Sequence, residues 1–206
     1  MKAAPIPAWS LAISGVAAAV FVAPPLQALL VYNREAIGEG EIWRLLTGNL
    51  VHFSAMHFVK DVVALLVAGL LIEIRRYRHF AMLCLISGAL IGTLLYVAEP
   101  AVLVYGGLSG IVVAAVTYLC LQGLREGGAY RWLCLGALLG LAAKTVLELT
   151  LGVRLPGEES PGFILVPESH AVGAVTAIAL FVLVQTANHR TKSTALKLLW
   201  ATEGKP

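Results

Sequence analysis

Two side chains in this sequence are equipped for covalent chemistry at matching places. Ser109 lies in Gly107-Leu108-Ser109-Gly110, at the opening of one long apolar segment, and His170 lies in Ser169-His170-Ala171-Val172-Gly173, at the opening of another. A hydroxyl or an imidazole in hydrocarbon is costly unless it has a partner or a task. Together the two suit nucleophilic catalysis. Ser109 would attack a carbonyl carbon, and His170 would take its proton and later return it to the leaving amine. The oxyanion that develops needs donors. The Ser109 backbone N–H, at or near a helix start and flanked by glycines, is one of them. Gly107 and Gly110 permit tight backbone geometry and close approach of substrate, with Leu108 between them in the same support. His57 and Asp61, spaced i and i+4, share one helix face, and His57 offers a further side-chain donor. Taken singly, each residue has a plainer reading: a serine after glycine packs helices, and a lone histidine forms a hydrogen bond. Only their placement at one depth favours catalysis.

That placement depends on the elements that carry them. The chain has 206 residues, 59% hydrophobic and 13% charged, against about 25% charged for a soluble domain. This composition predicts one membrane domain, residues 1–206, with a core at about 9–187 and a cytoplasmic tail at 188–206. A spanning helix needs about 20 apolar residues. Six segments meet that length, near 9–31, 56–74, 80–97, 103–124, 132–151 and 163–187. The expected fold is therefore all-α, a polytopic bundle of six transmembrane helices. Pro24-Pro25 should kink the first segment or end it early. With only Lys2 ahead of it, that segment reads as an uncleaved span rather than a signal peptide.

Charge sets the orientation. Lys2, Arg75, Arg76, Arg78, Arg125, Arg131, Arg190, Lys192, Lys197 and Lys205 fall on one side, and only Arg34, Arg44 and Arg154 on the other, among several glutamates. Basic loops stay cytoplasmic, so both termini are expected inside. The second, fourth and sixth segments then run inward, and their polar openings share a layer near the outer face. Small residues recur every fourth position at Gly88/Gly92, Gly106/Gly110/Ala114, Gly136/Gly140 and Gly173/Ala177, a spacing that lets helices approach closely in lipid. On the fourth and sixth segments the stripes begin beside the serine and the histidine.

Other features read more plainly. Cys84, Cys120 and Cys134 lie in or beside apolar segments and imply buried thiols rather than a disulfide framework. Lys144 and Glu148, at i and i+4 in the fifth segment, suggest an internal ion pair that locks packing. Lys60 should snorkel outward or meet another helix. The loop 154–161 is either a cap over the site or an ordinary solvated turn. Residues 192–200 are either an amphipathic stretch on the inner surface or disordered. No metal-spaced Cys/His cluster, phosphate-cradling glycine loop or nucleic-acid-type basic stripe is present, so neither metal, cofactor nor nucleic acid is expected.

The sequence around these positions resembles the rhomboid intramembrane serine proteases. The resemblance rests on Trp43-Arg44, then His52 and His57 within HFSAMHFVKD, then GGLSG, then SHAVG, and it runs from about residue 43 to 177. It implies Ser109 as nucleophile and His170 as general base, a dyad without a carboxylate. His57 matches the oxyanion-stabilising histidine, and Trp43 and Arg44 match a structural first-loop motif. The short chain and the stretches GEGEIWRLLTGNLVH and VPESHAVGA are most similar to the rhombosortase branch. That likeness implies single-span membrane substrates with Gly-Gly-containing C-terminal tails. Two positions depart from the family. Its asparagine on the second span is Asp61 here, and an ionised carboxylate beside an oxyanion would repel it. Either a protonated acid donating a hydrogen bond, or pairing with His57, would resolve this. Val113 replaces the aromatic residue that stacks on the histidine in many rhomboids, so His170 must be oriented otherwise. Two other readings stay open: an inactive relative that binds transmembrane segments, and a small transporter using Lys144, Glu148 and Asp61 as a relay.

Overall fold

The structure is a computed structural model that describes residues 6–151 and 166–203, the stretch beyond 187 as backbone only. The chain opens with α1 (Ala8–Val22) and α2 (Pro24–Leu30), which meet at Ala23 with a bend of 111°. Pro24 and Pro25 supply no backbone N–H to continue α1, and they occupy the first turn of α2, where none is needed. The first apolar segment is thus broken rather than kinked.

A compact loop follows: β1 (Tyr32–Asn33), α3 (Arg34–Gly38), α4 (Arg44–Thr47) and a 3-10 turn (Gly48–Leu50). Asn33 caps α3 by accepting from the Ala36 N–H at 3.0 Å. Then come α5 (Ala55–Ile74), α6 (Phe80–Ala98), β2 (Val104–Tyr105), α7 (Ser109–Gly123), α8 (Gly128–Leu151) and α9 (Pro167–Glu203). β1 and β2 pair antiparallel, with Tyr32 opposite Tyr105.

The protein is a multi-pass helical membrane protein. Among the described residues, four helices (α5, α6, α8 and the Pro167–Ala187 part of α9) are long and apolar enough to cross a bilayer, and the bent α1–α2 pair makes a fifth if taken as one span. The segment at 103–124 differs from the single span expected. Its first residues form β2 and a turn, and helix begins only at Ser109, giving an apolar α7 of 15 residues. Hydropathy registers that these residues are apolar, but it cannot register that Val104 and Tyr105 pair with another strand.

Contacts sort the helix ends into two groups. At one end Glu73, near the end of α5, accepts from the Trp9 and Ser10 N–H groups at 3.0 and 2.9 Å, capping α1. At the same end the Tyr118 hydroxyl of α7 donates to the Arg78 carbonyl at 2.7 Å. At the other end Arg34 donates to the Leu95, Tyr96 and Glu99 carbonyls, closing α6. The core between them holds Leu65, Ile72, Leu83, Ile91, Leu95 and Tyr118, and Cys84, Cys120 and Cys134 are buried free thiols as expected. Past Ala187, α9 continues unbroken to Glu203. Residues 192–200 are therefore helical and continuous with α9. At 1.5 Å per residue its 37 residues span about 55 Å, more than the roughly 30 Å of hydrocarbon.

Candidate active site

Ser109 is the first residue of α7, partly exposed, and follows a turn that only glycine can make. Gly107 has φ +136°, and a Cβ there would lie 2.6 Å from His57 Cε1 and 3.0 Å from His57 Nε2. Both the backbone conformation and the space demand glycine. The consequence is that the first turns of α5 sit directly against the residues leading into Ser109. The Tyr105 hydroxyl donates to the Gly107 carbonyl at 3.3 Å from the other side of the turn.

Asp61 organises this side. His52 Nε2 and His57 Nε2 each lie 3.1 Å from the same oxygen, Asp61 Oδ2. The two rings meet edge to face at 5.1 Å. The Leu108 N–H also points at His52 Nε2, at a longer 3.4 Å. One nitrogen cannot both donate to the carboxylate and accept from Leu108, and the shorter, charge-assisted bond is the stronger. His52 then carries its proton on Nε2. Its buried Nδ1, which has no partner among the described residues, keeps a lone pair. Of the two ways out of the Asp61 problem, the structure has the pairing with His57, and it adds His52, which the sequence marked only as part of the HFSAMHFVKD stretch.

The other side is built by α9. A Cβ on Gly173 would lie 2.1 Å from the Gly110 carbonyl oxygen, and one on Gly110 would lie 2.8 Å from the Ser169 carbonyl oxygen. The backbones of α7 and α9 therefore touch through the immediate neighbours of Ser109 and His170. His170 is buried, and its Nδ1 lies 2.8 Å from Glu148 Oε2. The second carboxylate oxygen of Glu148 pairs with Lys144, as the spacing suggested. The expected absence of a carboxylate at the histidine is thus corrected. Glu148 is there, and its i,i+4 spacing to Lys144 made it look occupied elsewhere. Val113 is buried on α7, and no aromatic residue stands at its position.

The remaining expected residues lie apart. Arg44 is buried, donates to the Ala28 and Val31 carbonyls at 2.8 Å each, and pairs with Glu41 at 2.5 Å. Trp43 donates to the Leu29 carbonyl at 3.2 Å. Both tie off the end of α2, a structural task. Lys60 is exposed. The loop 154–161 lies outside the described residues. Among the described residues no cluster of three His, Cys, Asp or Glu side chains is placed to hold a metal.

In total the start of α7 holds a partly exposed hydroxyl, with a buried imidazole on the neighbouring α9 and, on the other side, a cluster of His52 from the loop before α5 with His57 and Asp61 of α5. Comparison with curated proteins gives no match. The family model for the Rhomboid domain matches residues 39–187, which include Trp43 and Arg44, His52, His57 and Asp61, the serine turn, Glu148 and His170. A match over most of the chain, coinciding with this arrangement of helices, shows that the protein belongs to the rhomboid family, whose members are typically intramembrane serine proteases and include inactive relatives.

Proposed function

We propose that this protein is an intramembrane serine endopeptidase with six passes in a single domain, cleaving single-span membrane proteins near the outer face. The observation that carries the reading is the backbone contact of α7 with α9 at Gly110, Ser169 and Gly173, which supports a close approach of the helix turns that carry Ser109 and His170. In this reading the short apolar α7 serves as a sixth pass, with β2 and the glycine turn completing its path and Ser109 below the outer surface. Basic residues at the opposite end support both termini lying on the cytoplasmic side, and the likeness to the rhombosortase branch supports a bacterial inner membrane.

In the first step the Ser109 hydroxyl attacks the scissile carbonyl and passes its proton to His170 Nε2. The oxyanion faces the N–H groups at the α7 start, which no intrahelical carbonyl can satisfy, and the weakly held Leu108 N–H is among the nearest. His170 returns the proton to the leaving amine, and the acyl-enzyme on Ser109 is hydrolysed by water. His57 shapes the oxyanion side, its ring held by Asp61 against Gly107. By its likeness to the rhombosortase branch, the substrate class is a membrane protein ending in a Gly-Gly tail, one apolar helix and terminal arginines.

Labelling of the full-length protein by a fluorophosphonate decides the reading. Wild type should label, and Ser109→Ala and His170→Ala should not. An inactive relative would show no labelling in wild type. A transporter would keep substrate flux in Ser109→Ala.

A further inference from the structure

Helix α8 has an apolar, mostly exposed surface, and of its residues only Cys134 and Glu148 are buried. Burying a carboxylate costs several kcal/mol unless it is paired and hydrogen-bonded. Glu148 meets that requirement twice, once at Lys144 and once at His170 Nδ1, 2.8 Å away. Ionised by the lysine, Glu148 can only accept. The proton between it and the histidine therefore sits on Nδ1, and in the neutral ring that leaves the lone pair on Nε2. That is the tautomer a general base needs.

We infer that Glu148 is a positioning residue for His170, with Lys144 as its counter-ion, so that the site is a Ser109–His170–Glu148 triad rather than a dyad. This rests on the proteolytic reading above. The carboxylate fixes the ring where a stacking aromatic residue is missing at Val113. When Ser109 attacks, its proton moves to Nε2, the Nδ1–H stays in place, and the resulting imidazolium lies beside an anion. Glu148 takes up no proton at any step. Because it projects from α8, the same contact joins the outer half of that helix to α9, so docking of α8 and orientation of the base are one interaction.

The test measures the rate of fluorophosphonate labelling of Ser109 in full-length protein, over a range of probe concentrations, for wild type, Glu148→Gln and Glu148→Asp. The maximal rate should fall by about 100-fold or more in Glu148→Gln, with half-saturating probe concentration and thermal midpoint unchanged. Glu148→Asp should recover part of the loss. Independently, 15N-histidine NMR of the wild type, with His170→Ala to assign the signal, should show His170 protonated on Nδ1 and bare on Nε2. Equal labelling rates in Glu148→Gln and wild type, or a His170 protonated on Nε2 alone, would overturn the inference. If Glu148→Gln does not fold, the wild-type spectrum still decides. If wild type does not label at all, the protease reading fails on its own, and the tautomer still reports whether Glu148 sets the ring.

Discussion

Gly107 and Asp61 concentrate most of what single residues contribute to this site. Gly107→Ala would place a side chain at φ +136° and 2.6 Å from the His57 ring. Backbone strain of about 1–3 kcal/mol and a displaced His57 should together lower the thermal midpoint and cut labelling of Ser109 at least tenfold. An unchanged labelling rate would show that the turn does not position the serine. Asp61 gathers two imidazoles on one oxygen. An asparagine with its amide oxygen in that place could accept from both rings without a negative charge near the oxyanion, so Asp61→Asn should keep or raise activity. Complete loss of cleavage in a folded Asp61→Asn protein would contradict this. Asp61→Leu, which removes both bonds and leaves two buried imidazoles without their acceptor, should be the damaging change.

At the scale of elements, four stripes of small residues look equivalent in the sequence, but the structure uses them unequally. Gly92 lets α4 lie on α6, since a Cβ there would be 1.9 Å from the Leu45 carbonyl oxygen, and Gly173 lets α9 lie on α7. Around Gly136 and Gly140 on α8, nothing among the described residues comes within 4 Å of a Cβ. Gly173→Ala meets backbone that cannot yield and should cost about 1–3 kcal/mol, with loss of activity as α7 and α9 part. Gly136→Ala should leave activity intact and stabilise α8 slightly, by up to about 1 kcal/mol. Thermal midpoints and labelling rates of the two variants, measured side by side, check both halves. Equal effects would mean that the stripes act only through helix propensity.

At the scale of the whole molecule, the end opposite the site is held by a polar cluster that joins the α5–α6 connection to the α7–α8 connection and the start of α8. Arg75 pairs with Glu126 at 2.5 Å and lies 3.9 Å from the centre of the Tyr130 ring, while the Tyr77 hydroxyl donates to Glu126. The Tyr77 hydroxyl and Arg75 hold the Glu126 carboxyl below its ordinary 4.5. A depressed carboxyl contributes stability that is present above the ordinary value and is lost as pH falls through the lower folded one. Burial and the Glu126 carboxylate push Tyr77 from 10.0 up to about 12, so its contribution is intact below 10 and disappears between those values. The thermal midpoint should therefore be insensitive to this cluster at neutral pH and fall below pH 4.5 and above pH 10. Glu126→Gln should flatten the acid limb, and salt should weaken the difference because the pair is exposed. Midpoints for both proteins across that range check it.

Composition, hydropathy and charge were enough to predict a multi-pass helical protein, because apolar length and basic loops are properties of the chain summed over segments. The Ser109 and His170 motifs were legible because each is short and local. Three things were not. Helix α7 starts at Ser109 because distant residues pair with the chain before it. Asp61 faces two histidines rather than one, since His52 comes from a loop whose path α4 and the 3-10 turn determine. Glu148 reaches His170 across 22 positions. Periodicity reports which residues share a face of their own helix, whereas which faces meet depends on how helices dock, and that is decided by backbone contacts such as Gly110 on Gly173.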